Sequence, residues 1–222
     1  PGLFGPDSAA WRVHADTAMF VGGLRSLLLQ TMHPLAMAGV AEHSDYRRDP
    51  LGRLQRTAGF VGVTTYGTTA DAKAAIARVR KIHTRVKGIA PDGRPYDARD
   101  PRLLGWVHVT EVDSFLAAYQ RYAAAPLTDA EADRYVREMA VVARKLGVRR
   151  PPTSQAALAA TIDAYRPELH VGAQARDARR FLLLPPLPLA ARPAYGVIST
   201  AAISLLPGWA RRQLWLPVAP GA

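Results

Sequence analysis

The amino-acid sequence predicts an all-α fold, one globular bundle of eight or nine helices across residues 1–222. Apolar residues recur at spacings of three and four through most of the chain, which is the period of a helix face. Asp-Pro openings and a capping box precede several of these runs. No stretch sustains period-two alternation between hairpin turns, so no sheet is expected.

In chain order, Pro6 and Asp7-Ser8 open a short helix at Ala9–Val13. From Asp16 to Met32 the apolar series Met19, Phe20, Leu24, Leu27, Leu28, Met32 marks a strong helix. Gly22-Gly23 inside it reads as a kink or as a place where another helix comes close. Pro34 disfavours helical geometry at His33, and a further helix covers Leu35–Glu42. Asp49-Pro50 caps a helix from Leu51 to about Thr64, and Thr69-Ala-Asp71 starts the next, Ala70–Val86, closed by Gly88. Asp100-Pro101 opens a helix to about Ala124; Thr128-Asp-Ala-Glu131 caps one that ends at Gly147. Thr153 to Tyr165, Glu168 to Leu184 and Ala194 to Leu206 follow, the last leading into Trp209–Leu216.

Composition narrows the function. The chain is 49% hydrophobic and 21% charged, and a chain of this length buries roughly 70% of its unfolded surface without disulfide staples. It has no cysteine, which excludes thiolate nucleophiles, zinc-thiolate sites, iron–sulfur clusters and a thiolate-ligated haem. That usage fits a reducing compartment, so a cytoplasmic location is the expectation. No clean apolar span of about 20 residues is present. The net charge of +11 suits an anionic partner, but the arginines are scattered and not interleaved with aromatics, so no nucleic acid is expected.

Two charged patterns on neighbouring helices hold the candidate chemistry. Ile76, Val79, His83 and Val86 share one helix face, with Arg80 a turn before His83 and Lys87 a turn after it. A neutral imidazole there could ligate iron, with Arg80 and Lys87 as partners for anionic groups, or could be a core histidine bonded to a carbonyl. Arg53, Arg56 and Thr57 fall within about a turn of each other. They suit binding of an anion or action on an oxygen species, and equally a solvated face paired with Asp45 or Asp49. His33 and His108 are further candidates; His108 shares a face with Glu111, a pattern that fits an acid/base or supporting pair. Nucleophile-elbow, phosphate-loop, dinucleotide and zinc-helix motifs are absent.

Several ordered stretches resemble one family. They are Leu28-Leu-Gln-Thr-Met-His33-Pro34, Gly39-Val-Ala-Glu42-His43-Ser44, Asp49-Pro-Leu-Gly-Arg53-Leu-Gln-Arg56-Thr57, Val79-Arg80-Lys-Ile-His83, Gly93-Arg-Pro-Tyr96 and Leu104–Phe115. The chain is similar to the rubber oxygenases (latex-clearing proteins) and the ER-bound oxygenase of mycophenolate biosynthesis over roughly residues 10–215. The resemblance implies an all-helical haem b oxidoreductase that acts with O2 or peroxide on a small apolar organic substrate. It implies His83 as the proximal metal ligand, in Arg80-x-x-His83-x-x-x-Lys87, where the family carries arginine in place of Lys87. It places Arg53-x-x-Arg56-Thr57 on the distal side, with arginine where the family has lysine. No counterpart of the rubber-cleaving glutamate base is evident. The alternative expectation is a non-catalytic haem- or anion-binding helical protein peripheral to a membrane, suggested by the apolar and basic mixture of Phe181–Pro188 and Ile198–Trp215.

Overall fold

The structure is a computed structural model that describes residues 1–44 and 50–217; the side chains of residues 50–54 lie outside that set. Among the described residues the chain forms α1 (Ala9–Ala15), α2 (Ala18–Gln30), α3 (Pro34–His43), α4 (Pro50–Tyr66) and α5 (Thr69–His83). A two-stranded hairpin, β1 (Lys87–Ile89) and β2 (Pro95–Asp97), precedes α6 (Pro101–Tyr122). Then come α7 (Asp129–Leu146), α8 (Gln155–Tyr165), α9 (Ala173–Leu183), α10 (Arg192–Leu205) and α11 (Gly208–Gln213). The all-α expectation holds, with more and shorter helices than the eight or nine foreseen.

Helix α6 is the stem. Its 22 residues start at a cap in which the Asp100 carboxylate accepts the Arg102 N–H, with Pro101 in the first turn. It packs most extensively along α2, and also against α7, α8 and α1. The α2 contact is close because Gly22 leaves room: a Cβ there would lie 2.8 Å from Phe115 Cδ1 and 2.9 Å from the Ser114 carbonyl oxygen. Arg25, one turn on, is buried and donates to Asp113 Oδ2 (2.6 Å), Ser114 Oγ (2.7 Å) and the Leu205 carbonyl (3.0 Å). One guanidinium thus ties α2, α6 and α10, with its charge answered by the partly exposed Asp113 carboxylate. Around the stem Leu28, Trp106, Val109, Val112, Tyr135 and Leu158 form a continuous core.

Two boundaries depart from the sequence expectation. Helix α5 stops at His83 rather than at Val86, and Gly88 is a strand residue rather than a helix C-cap. The hairpin is antiparallel, pairing Lys87 with Asp97, Gly88 with Tyr96 and Ile89 with Pro95. Gly88 is needed for proximity: a Cβ would sit 2.7 Å from the Tyr96 hydroxyl and 3.0 Å from Glu42 Oε2. Strands of three residues are too short for alternation to register in sequence. Helix α9 begins at Ala173 because residues 166–168 form a 3-10 turn and the His170 N–H donates to the Met32 carbonyl at 2.8 Å. The capping box at Thr128 and the left-handed Gly147 (φ +119°) stand where expected. The Asp49 cap falls outside the described residues. Among the described residues, no helix is long and apolar enough to cross a membrane.

Candidate functional site

Helices α4 and α5, which carry most of the candidate residues, form a hairpin laid against α1 and α7. On α5, Ile76 is buried and Val79 and His83 are half-buried, while Arg80, Lys81 and Ile82 are exposed. His83 therefore turns toward the protein from the last turn of its helix. Burial lowers its pKa below the ordinary value, opposed only by the Asp97 carboxylate, so the imidazole is neutral near pH 7. The Arg80 guanidinium donates to the Lys145 carbonyl at 3.4 Å, which brings the ends of α5 and α7 together. A Cβ on Gly147 would approach Leu104 Cδ1 at 3.2 Å, so the start of α6 converges there too.

The other expected residues spread over four places. Arg53 lies on α4 with its side chain outside the described set; Arg56 and Thr57, on the same helix, are exposed, and each is engaged with another group. Lys87 is exposed on β1, opposite Asp97. His108 lies on the α6 face that also carries Leu104 and Glu111, and its Nε2 is buried without a hydrogen-bond partner. Burial lowers the His108 pKa to about 4 and raises that of Glu111 to about 7. Both side chains keep partial accessibility although their ionisable groups are deeply desolvated.

His33 sits apart, on the side of α6 occupied by Trp106. It is enclosed by the Trp106 and Tyr165 rings, 6.3 and 6.4 Å away between centroids, and is 2% exposed. Its β-region backbone (φ −89°, ψ 113°) is the conformation Pro34 enforces. Neither ring nitrogen has a hydrogen-bond partner; Glu168 Oε2 stands 3.5 Å from Nε2, too far for a good bond. Burial wins over that carboxylate, which Arg102 already engages, and the His33 pKa is lowered.

Two polar networks join residues whose pairing the sequence does not show. His14 links Thr65 Oγ1 (2.7 Å, from Nδ1) and the Tyr135 hydroxyl (3.1 Å, from Nε2), joining α1, α4 and α7. Its pKa falls to about 4 through burial, so one ring nitrogen donates and the other accepts. At the hairpin, the Tyr96 hydroxyl donates to Glu42, His43 Nε2 lies 3.1 Å from the same oxygen, and the tyrosine pKa is pushed up to about 12 by burial and by Glu42. Partners 51 to 121 positions apart leave no spacing to read.

Against this geometry, the model of the family described as ER-bound oxygenase mpaB/B'/Rubber oxygenase, catalytic domain, matches residues 11–222. The chain belongs to this family. It is an oxygenase-type domain, and the match runs from α1 through α11. No curated protein and no solved structure matches the chain.

Proposed function

We propose that the chain is a haem b-dependent oxygenase acting with O2 or peroxide on a small apolar organic molecule, with His83 as the protein ligand to iron. The single observation that carries this reading is the state of His83: a neutral, half-buried imidazole on an apolar helix face of a domain of the oxygenase family. A porphyrin fills four positions of its iron and asks the protein for one such nitrogen. One neutral imidazole such as His83 is the kind of donor a haem iron takes from a protein, which supports this reading. When bound, haem iron supplies the redox chemistry with oxygen.

This chain's own residues would then divide the work. Arg80 and Lys87, placed before and after the end of α5, are cations for the propionates. Arg53, Arg56 and Thr57, all on α4, are assigned the oxygen-side role that the family resemblance implies. His108 and Glu111 share one face of α6, and the desolvated Glu111 carboxyl can hold or release a proton there. His33 is a core residue in this reading. Reconstitution of the full chain with haemin should give a Soret band that His83→Ala strongly diminishes; an unchanged spectrum in that variant overturns the ligand.

A second reading, a non-catalytic protein peripheral to a membrane, draws on Leu184, Leu189 and Trp215, which are 75%, 76% and 61% exposed, with Arg176 and Arg179 against the Trp215 ring. Oxygen-dependent turnover of any organic substrate removes its non-catalytic part. Failure to sediment with anionic vesicles removes the rest.

A further inference from the structure

A cleft of about 240 Å³ opens between the first turns of α6, the second half of α8 and the linker that joins α7 to α8. Its apolar lining is Val109, Val148 and Pro152, which are buried, with Ala164 exposed at its edge, and its cationic lining residues are Arg102, Arg149 and Arg150. No aspartate or glutamate lines it. Arg102, Gly105 and Val109 form a face of α6 turned away from the Leu104, His108 and Glu111 face, so this cleft is separate from the α4–α5 site and independent of the haem assignment.

The three cations are not equivalent. Arg102 is occupied: its guanidinium grips both oxygens of Glu168 and lies 4.7 Å from the Tyr165 ring centre. Arg149 and Arg150 make no ion pair or hydrogen bond among the described residues. Both side chains are exposed. Their backbone is nevertheless fixed on both sides. Gly147 turns the chain in the left-handed region, the Val148 N–H donates to the Ala143 carbonyl at 3.0 Å, and Val148, Pro151 and Pro152 are buried. The fixed linker backbone therefore presents two arginines without internal partners at the edge of the cleft.

We propose that this cleft binds a small amphiphilic carboxylate, its charge on Arg149 and Arg150 and its apolar body on Val109, Val148, Pro152 and Ala164. The planar guanidinium matches a carboxylate bidentately, and the apolar lining gives a hydrocarbon or aromatic body the burial that a bare inorganic anion lacks. The volume lies below the roughly 300–1,000 Å³ of sites for drug-sized molecules, which limits the ligand to about the size of a single substituted ring.

Calorimetric titration of the full-length protein with sodium benzoate at low ionic strength tests the proposal, with sodium phosphate titrated separately. The expected result is saturable one-to-one benzoate binding, weakened at least about tenfold in Arg149→Gln/Arg150→Gln. It should be retained in Arg78→Gln/Arg121→Gln, which removes the same charge elsewhere. Ala164→Phe, which fills the exposed edge of the apolar lining and keeps both charges, should abolish benzoate binding. Linear, unsaturable heats, or equal weakening by both double variants, would show only general attraction to a basic protein and overturn the site. Phosphate binding as tightly as benzoate, or Ala164→Phe leaving benzoate binding intact, would overturn the amphiphilic ligand.

Discussion

Helix α2 carries two consecutive glycines, and only one of them touches another backbone. A methyl group at Gly22 would meet Phe115 Cδ1 at 2.8 Å, the Ser114 carbonyl oxygen at 2.9 Å and Phe115 Cα at 3.0 Å. Two of those three atoms are backbone and cannot rotate aside, so α2 and α6 must separate along their main contact. Overpacking of this kind costs about 1–3 kcal/mol, while exchanging glycine for alanine inside a helix returns up to about 1 kcal/mol. The net expectation for Gly22→Ala is a loss of about 1–2 kcal/mol, or roughly 2–8 °C in Tm for a domain of this size. At Gly23 the nearest atom to an added Cβ is Phe115 Cε1 at 3.9 Å, an ordinary contact. Gly23→Ala should therefore gain about 0.5–1 kcal/mol. Urea unfolding followed by far-UV circular dichroism, with both variants beside the parent, reads the two signs directly. If Gly22→Ala proves as stable as Gly23→Ala, the close approach of α2 to α6 is refuted.

Two further substitutions probe the interior. Folding raises the Glu111 pKa from 4.5 to about 7, so the folded state holds a proton the unfolded chain has released, and stability is lost as pH rises through that window. Glu111→Gln should match the parent below about pH 4.5 and exceed it at pH 8 by roughly 3 kcal/mol at most; a difference that stays constant across pH would refute the burial of that carboxyl. Asp113→Ala strands the Arg25 guanidinium, whose side chain is 5% exposed, while Asp113 itself is 28% exposed. A loss of about 3 kcal/mol is expected, the lower end for a broken buried pair, and salt should not reproduce it in the parent; a loss under 1 kcal/mol shows that Arg25 finds water.

Most of the helical architecture was legible in the sequence because its signals are local. The Asp100-Pro101 cap, the Thr128–Glu131 box and Gly147 act within one turn of the residues they order, and each stands where its pattern puts it. The hairpin after α5 was not legible, since Gly88 is explained only by Tyr96 and Glu42 across the fold. The site divides the same way. The Ile76, Val79, His83 stripe could be read from spacing, but His83 gains meaning from burial, and the separation of His33 from His108 depends on which faces of α6 they meet. The linker arginines carry no local signal, because their lack of partners is a property of the assembled molecule.

His83 is the terminal residue of its helix, the position where helices ordinarily fray. Here the chain beyond it is clamped: the Ala98 N–H closes onto the Val86 carbonyl, the hairpin follows, and Tyr96 locks that hairpin to Glu42 and His43 at the end of α3. The stiffness of the imidazole's mounting is thus supplied by a tyrosine, a glutamate and a second histidine from the hairpin and α3. Their loss would leave His83 chemically unaltered but let its helix end unwind, trading a fixed direction for an ensemble of them.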